Sequence, residues 1–128
     1  MGEDMNFLVV DDFATMRKIV KNVLRQISIE NVVEAENGKH ALTVLQTEPV
    51  DLIISDWMMP EMTGIEFLKV CKGDEEKKKI PFIMVTAEGQ KDSVMEAIKS
   101  GVDNYIVKPF TPDKLKDAID KARARVGK

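Results

Sequence analysis

The chain has 128 residues, 44% hydrophobic and 32% charged, which is one domain by length with enough apolar material to bury a core. Its 22 acidic and 19 basic side chains give a formal charge of −3, a poor basis for unaided binding to nucleic acid or an anionic membrane. A single cysteine, no apolar run of bilayer length and no signal-peptide start exclude a secreted disulfide scaffold, a zinc finger and a membrane-inserted protein, and leave a cytoplasmic domain as the expectation.

Short apolar runs alternate with longer amphipathic stretches. Phe7-Leu8-Val9-Val10 comes first, followed by Met16, Ile19, Val20, Val23, Leu24 and Ile27 as one stripe at helical spacing. Val32-Val33 is the weakest run and belongs near a sheet edge. Asn37 can cap a helix through Leu45, and after Leu52-Ile53-Ile54 the segment Thr63-Gly64-Ile65-Glu66 fits a capping box. The mixed-charge run Asp74-Glu75-Glu76-Lys77-Lys78-Lys79 reads as a solvated loop. Phe82-Ile83-Met84-Val85 precedes a helical stretch around Lys91–Lys99 that Gly101 can stop. Tyr105-Ile106-Val107 is the last run, and Thr111-Pro112 sets a cap residue before proline at a first helical position. The runs are rich in β-branched residues and lack period-2 alternation, the pattern of strands buried on both faces. Parallel strands need crossover helices, so the predicted fold class is α/β: about five βα units in a single doubly wound sheet.

In open sheets of this kind, ligands bind beyond the carboxyl ends of the strands. The residues that follow the runs there are Asp11 and Asp12, then Asp56, then Thr86 with Ala87 and Glu88, then Lys108-Pro109. Each has an ordinary explanation taken singly. Asp11 or Asp12 can cap a helix beginning near Phe13, Asp56 suits a turn, and Thr86 and Lys108 are unremarkable at strand ends. None of these explanations accounts for five such side chains arriving at one edge from different segments. Two like charges about 4 Å apart cost about 4 kcal/mol at an effective dielectric near 20, and one lysine does not neutralise three carboxylates. An all-oxygen acidic site with charge to spare suits a hard divalent cation, above all Mg²⁺, which takes one or two carboxylates together with a phosphate oxygen. In such a site Asp56 can act as nucleophile toward a phosphoryl group while Lys108 and Thr86 hold its oxygens.

The segments Phe7-Leu-Val-Val-Asp-Asp-Phe-Ala-Thr-Met-Arg17, Ser55-Asp-Trp-Met-Met-Pro60, Met84-Val-Thr-Ala-Glu88 and Tyr105-Ile-Val-Lys-Pro-Phe-Thr111 together resemble response-regulator receiver domains, in particular the CheY-like chemotaxis regulators, over nearly the whole chain. The resemblance implies a flavodoxin-like sheet of order 2-1-3-4-5. It implies that Asp56 is the phosphoacceptor, charged from the phosphohistidine of a chemotaxis histidine kinase. Asp12 would bind Mg²⁺ directly, Asp11 mainly through water, and Met58 through its backbone carbonyl. Lys108 would pair with the phosphoryl group, next to a Lys108–Pro109 bond that is cis in the family. Thr86 and Tyr105 would form the switch: Thr86 is drawn toward the phosphoryl oxygens and Tyr105 turns into the vacated space. The face formed by the Lys91–Lys99 helix, the Tyr105 strand and the helix from Pro112 would then bind the flagellar motor switch protein. On the residues alone, Tyr105 reads equally well as a strand tyrosine with its hydroxyl in water.

The implied protein is a stand-alone receiver over residues 1–128, monomeric, without an output domain, and with no enzymatic role beyond its own phosphorylation and slow dephosphorylation. A separate phosphatase is compatible with it. Met58 departs from the resemblance, because chemotaxis relatives commonly carry Asn there; a thioether cannot order a nucleophilic water, so slower loss of phosphate is expected. Trp57 is expected to report metal binding, Cys71 to be an inert thiol and His40 to lie on the surface. An aspartyl phosphatase of the haloacid dehalogenase type would need aspartate where Phe13 stands. A flavodoxin-type FMN carrier would meet repulsion from Asp11 and Asp12. A receiver in a non-chemotaxis phosphorelay is the alternative that the residues separate least.

Overall fold

The structure is a computed structural model that describes residues 5–57, 59, 61–87 and 91–125. In chain order it runs β1 (Phe7–Val10), α1 (Ala14–Gln26), β2 (Val32–Ala35), α2 (Gly38–Thr47), β3 (Leu52–Asp56), α3 (Gly64–Lys72), β4 (Phe82–Ala87), α4 (Lys91–Lys99), β5 (Asn104–Lys108) and α5 (Pro112–Arg125). The five strands form one parallel sheet of order β2-β1-β3-β4-β5, as the resemblance implied, and the weak run at Val32 is indeed at an edge.

Alternate strand residues face two helical layers. Phe7, Val9, Ile54 and Val85 pack with Val20 and Leu24 of α1 and with Leu115 and Ile119 of α5. Leu8, Val10, Ile53 and Met84 pack with Ala41 of α2, with Phe67 and Leu68 of α3, and with Ala97 of α4. Central strands covered on both sides are apolar throughout, which is why β1 shows no alternation in sequence.

The local end signals hold. Asn37 accepts the His40 amide at 2.8 Å, and Thr63 and Glu66 form the reciprocal capping box. Thr111 Oγ1 accepts the Lys114 amide at 3.2 Å ahead of Pro112, and Gly101 takes φ +94 after α4. Three expectations need correction. β5 is not buried on both faces: Tyr105 is 39% and Val107 37% exposed, because an edge strand is only partly roofed. Ile19 of the α1 stripe is 48% exposed, lying at the margin of the face that Val20, Val23 and Leu24 bury. The charge run is not a bare loop either; Asp74 accepts the Glu76 and Lys77 amides and starts a short 3₁₀ turn over Lys77–Lys79.

Candidate functional site

Parallel registry brings the strand ends level. Val10 lies beside Ser55, Asp56 beside Val85, Thr86 beside Val107, and Ala87 beside Lys108. The groups that leave these ends therefore share one edge of the sheet. Asp11 continues β1 by donating its amide to the Ala35 carbonyl at 3.1 Å, which extends the β1–β2 pairing by one residue. Gly64 brings the start of α3 against the end of β3. Its amide donates to the Trp57 carbonyl at 2.8 Å, and a Cβ there would run into the Asp56 carbonyl oxygen.

Asp11, Asp12 and Asp56 each offer a carboxylate oxygen, and these oxygens lie within 4.8 Å of one another. Lys108 Nζ is 3.0 Å from Asp56 Oδ1 and 4.0 Å from Asp11 Oδ2. Asp11 Oδ1 accepts the Phe13 amide at 2.9 Å, just ahead of the first residue of α1. This is a local turn ahead of the helix and not the cap that the sequence suggested, since Phe13 stands at the N-cap position without a side-chain cap, and it occupies one of that carboxylate's two oxygens. Burial pushes the Asp11 carboxyl up to about 6 from an ordinary 3.8. The charges of Asp56 and Asp12 add to the rise, while the Phe13 amide and Lys108 oppose it. Asp12 Oδ1 is buried and makes no hydrogen bond. A buried carboxylate oxygen without a partner, within reach of two further carboxylates, is a donor set that fits a hard divalent cation.

Thr86 is buried at the end of β4, one residue beyond the level of Asp56, where the sequence put it. Met58 lies outside the described residues, as does Glu88. The Lys108–Pro109 peptide bond is cis. Tyr105 pairs with Met84 in register and so faces the α4 side of the sheet, half-exposed. Met95 and Ile98 of α4 and Val107 of β5 are also exposed, apolar side chains whose exposure periodicity did not predict because helical spacing would have buried them. Trp57 is buried next to Asp56, His40 is exposed, and Cys71 is buried with its thiol pushed up by burial to about 12, an inert group.

Arg17 closes the Phe7–Arg17 motif. Its Nε donates to Glu34 Oε1 at 2.9 Å and one of its terminal nitrogens donates to the Asp11 carbonyl at 2.6 Å. No local pattern signals this contact, since Glu34 is 17 residues away on another element. Among the described residues no helix is long and apolar enough to cross a membrane.

The profile of the response regulator receiver domain matches residues 7–120. The chain is 47% identical over 122 residues to the chemotaxis protein CheY of Pseudomonas aeruginosa, covering 95% of this chain and 98% of that protein. It is 45% identical over 126 residues to chemotaxis protein CheY-3 of Vibrio cholerae, covering 98% and 97%. Among solved structures it is similar to the chemotaxis response regulator CheY4 of Vibrio cholerae, with a TM-score of 0.82 and 34% identity over 92% of this chain and 98% of that one. It is also similar to the signal receiver domain of a signal transduction histidine kinase from Syntrophus aciditrophicus, with a TM-score of 0.86 and 28% identity over 97% and 93%.

Proposed function

The chain belongs to the response regulator receiver domain family, and from that premise we propose that it is a CheY-like chemotaxis switch in which Asp56 accepts a phosphoryl group from a histidine kinase and a changed surface then engages the flagellar motor switch. One observation carries this reading: a lysine ammonium 3.0 Å from Asp56, beside two further carboxylates whose oxygens could share a cation with it.

An Asp56 carboxylate oxygen attacks the phosphorus of a phosphohistidine. An O–P bond forms, the N–P bond breaks, and the leaving imidazole nitrogen keeps the electron pair and takes up a proton. Lys108, already ion-paired to Asp56, is positioned to follow the negative charge onto the phosphoryl oxygens. Thr86 supplies a hydroxyl from the adjacent strand end. Asp12 and Asp11 would hold Mg²⁺, directly and through water respectively, with the backbone carbonyl of Met58 as a further ligand. When bound, the ion neutralises charge between the carboxylates and the incoming phosphoryl group. No nucleic acid or membrane takes part, and the protein's chemistry is confined to gaining and slowly losing its own phosphoryl group.

The output follows from the exposed apolar surface. Met95, Ile98, Tyr105 and Val107 are exposed apolar side chains on α4 and β5 that a partner segment could cover. Drawing Thr86 toward a phosphoryl group would favour an inward Tyr105 and shift a pre-existing equilibrium of this face. In this reading the protein works in the cytoplasm as a monomer, and a separate phosphatase can limit its signal.

The kinase receiver domain from Syntrophus aciditrophicus is at least as similar in backbone as the chemotaxis regulator, so backbone shape does not separate chemotaxis from another phosphorelay. The 45–47% identity to CheY proteins favours chemotaxis. The test is intact-mass measurement after incubation with acetyl phosphate and Mg²⁺, followed by titration with a motor-switch peptide. The expected result is one added phosphoryl group, lost in Asp56→Asn, and tighter peptide binding when it is present. Undiminished uptake in Asp56→Asn refutes the phosphoacceptor; uptake without peptide binding favours the other relay.

A further inference from the structure

Of the three site carboxylates, two are held by their own side-chain contacts. Asp11 receives the Phe13 amide, and Asp56 is paired with Lys108. Asp12 differs, because its buried Oδ1 makes no hydrogen bond. The direction of its carboxylate must then be set by its backbone, beginning with the peptide unit that joins Asp11 to Asp12. The oxygen of that peptide unit is the one Arg17 grips at 2.6 Å.

Arg17 is itself held. It sits in the first turn of α1, its side chain is mostly buried, and its Nε donates to Glu34 Oε1 at 2.9 Å. Lys21, one turn further along α1, occupies the other oxygen of Glu34 at 3.0 Å. Burial pushes the Glu34 carboxyl up, but the hydrogen bonds from Lys21 and Arg17 outweigh it and hold its pKa below the ordinary value. The guanidinium is therefore a rigid fork: one arm is locked to an edge strand by an ionised carboxylate, and the other fixes a loop carbonyl.

We propose that Arg17, oriented by Glu34, is a positioning residue of the metal site, aiming the Asp12 carboxylate by clamping the Asp11–Asp12 peptide. This rests on the reading of Asp11, Asp12 and Asp56 as a Mg²⁺ site.

Two properties separate positioning from simpler roles. Arg17 is a cation close to a cation site, so its removal would tighten binding of any divalent ion if only its charge mattered. Positioning reverses that sign. It also discriminates between ions, because Mg²⁺ demands near-octahedral geometry whereas Ca²⁺ accepts irregular ligand directions.

The experiment is calorimetric titration of the wild type, Arg17→Met and Glu34→Ala with Mg²⁺ and with Ca²⁺, with far-UV circular dichroism to establish folding. Methionine keeps most of the side-chain length and is a good helix former. The expected result for Arg17→Met is a Mg²⁺ dissociation constant raised about tenfold, the lower end of the range for partners that orient metal ligands, with a much smaller change for Ca²⁺. Glu34→Ala, on the edge strand, should shift the Mg²⁺ to Ca²⁺ ratio in the same direction by less, and it carries the test should Arg17→Met not fold. Unchanged or tighter Mg²⁺ binding, or equal losses for both ions, overturns the role of Arg17. A wild type that binds no Mg²⁺ overturns the underlying site as well, so the two failures are distinguishable.

Discussion

Replacing Asp11 with asparagine should make the metal-free protein more stable and less responsive to metal. The wild-type carboxyl sits at about 6 instead of 3.8, chiefly because it is buried, with Asp56 and Asp12 adding repulsion. The native state therefore keeps its proton to higher pH than the unfolded chain does. The native advantage of the protonated acid is complete below 3.8 and is lost as pH rises through about 6. At about 1.4 kcal/mol per pH unit, ionised Asp11 costs about 3 kcal/mol at pH 7.5 and about 1 kcal/mol at pH 4.5. Asparagine removes this cost and keeps an oxygen for the Phe13 amide at the same position. The opposing attraction of Lys108 across 4.0 Å is already contained in that figure, so a net gain of about 3 kcal/mol is expected at neutral pH.

Urea unfolding in EDTA at pH 4.5 and 7.5 measures the difference. Asp11→Asn should exceed the wild type at pH 7.5, and the gap should narrow to about 1 kcal/mol at pH 4.5. In millimolar Mg²⁺ the order should close or reverse, because a ligand that binds only the folded state stabilises the wild type more. A difference that does not change with pH, or a variant less stable than the wild type in EDTA at pH 7.5, refutes the assignment of strain to Asp11.

Gly64→Ala places a methyl group against the Asp56 carbonyl and the Met84 sulfur, and should cost about 2–3 kcal/mol in thermal or urea unfolding while weakening Mg²⁺ binding. Thr86→Ala should still take up phosphate from acetyl phosphate but lose at least several-fold of the phosphate-dependent gain in motor-switch peptide affinity, read by fluorescence anisotropy. Met58→Asn should shorten the phosphate half-life followed by intact mass, since an amide can order a water that a thioether cannot; equal half-lives refute this.

What the sequence disclosed and what it hid divide by range. Asn37, Thr63, Thr111 and Gly101 marked helix ends because each acts on backbone within three residues or on its own φ. The placement of the five candidate residues at one edge was legible because parallel strands of similar length must finish level, so a polar residue after an apolar run has few places to go. Exposure of β5 was hidden because an edge strand and a central strand can share the same apolar composition, and only the sheet order decides which is roofed. The grip of Arg17 on the Asp11 carbonyl and the jam of Gly64 against Asp56 were hidden for a related reason. Both join elements whose approach is set by packing on the sheet, and neither leaves a periodic trace.

The same division explains why the site is electrostatically uneasy while the rest of the sheet is well satisfied. At the opposite end of the strands, Asp103 is a buried carboxylate too, yet Lys72 pairs with it at 2.7 Å and the Phe82 amide donates to it at 2.8 Å. At the carboxyl edge Lys108 supplies only part of such a pairing, to Asp56. Instead Asp12 keeps a bare buried oxygen and Asp11 has its ionisation opposed by burial and by two neighbouring acids. A divalent cation bound there would relieve both at once. In the proposed function a bound cation would draw on this unfavourable charge, so that metal affinity and folding free energy would be linked and apo stability would fall as the site is better set to bind.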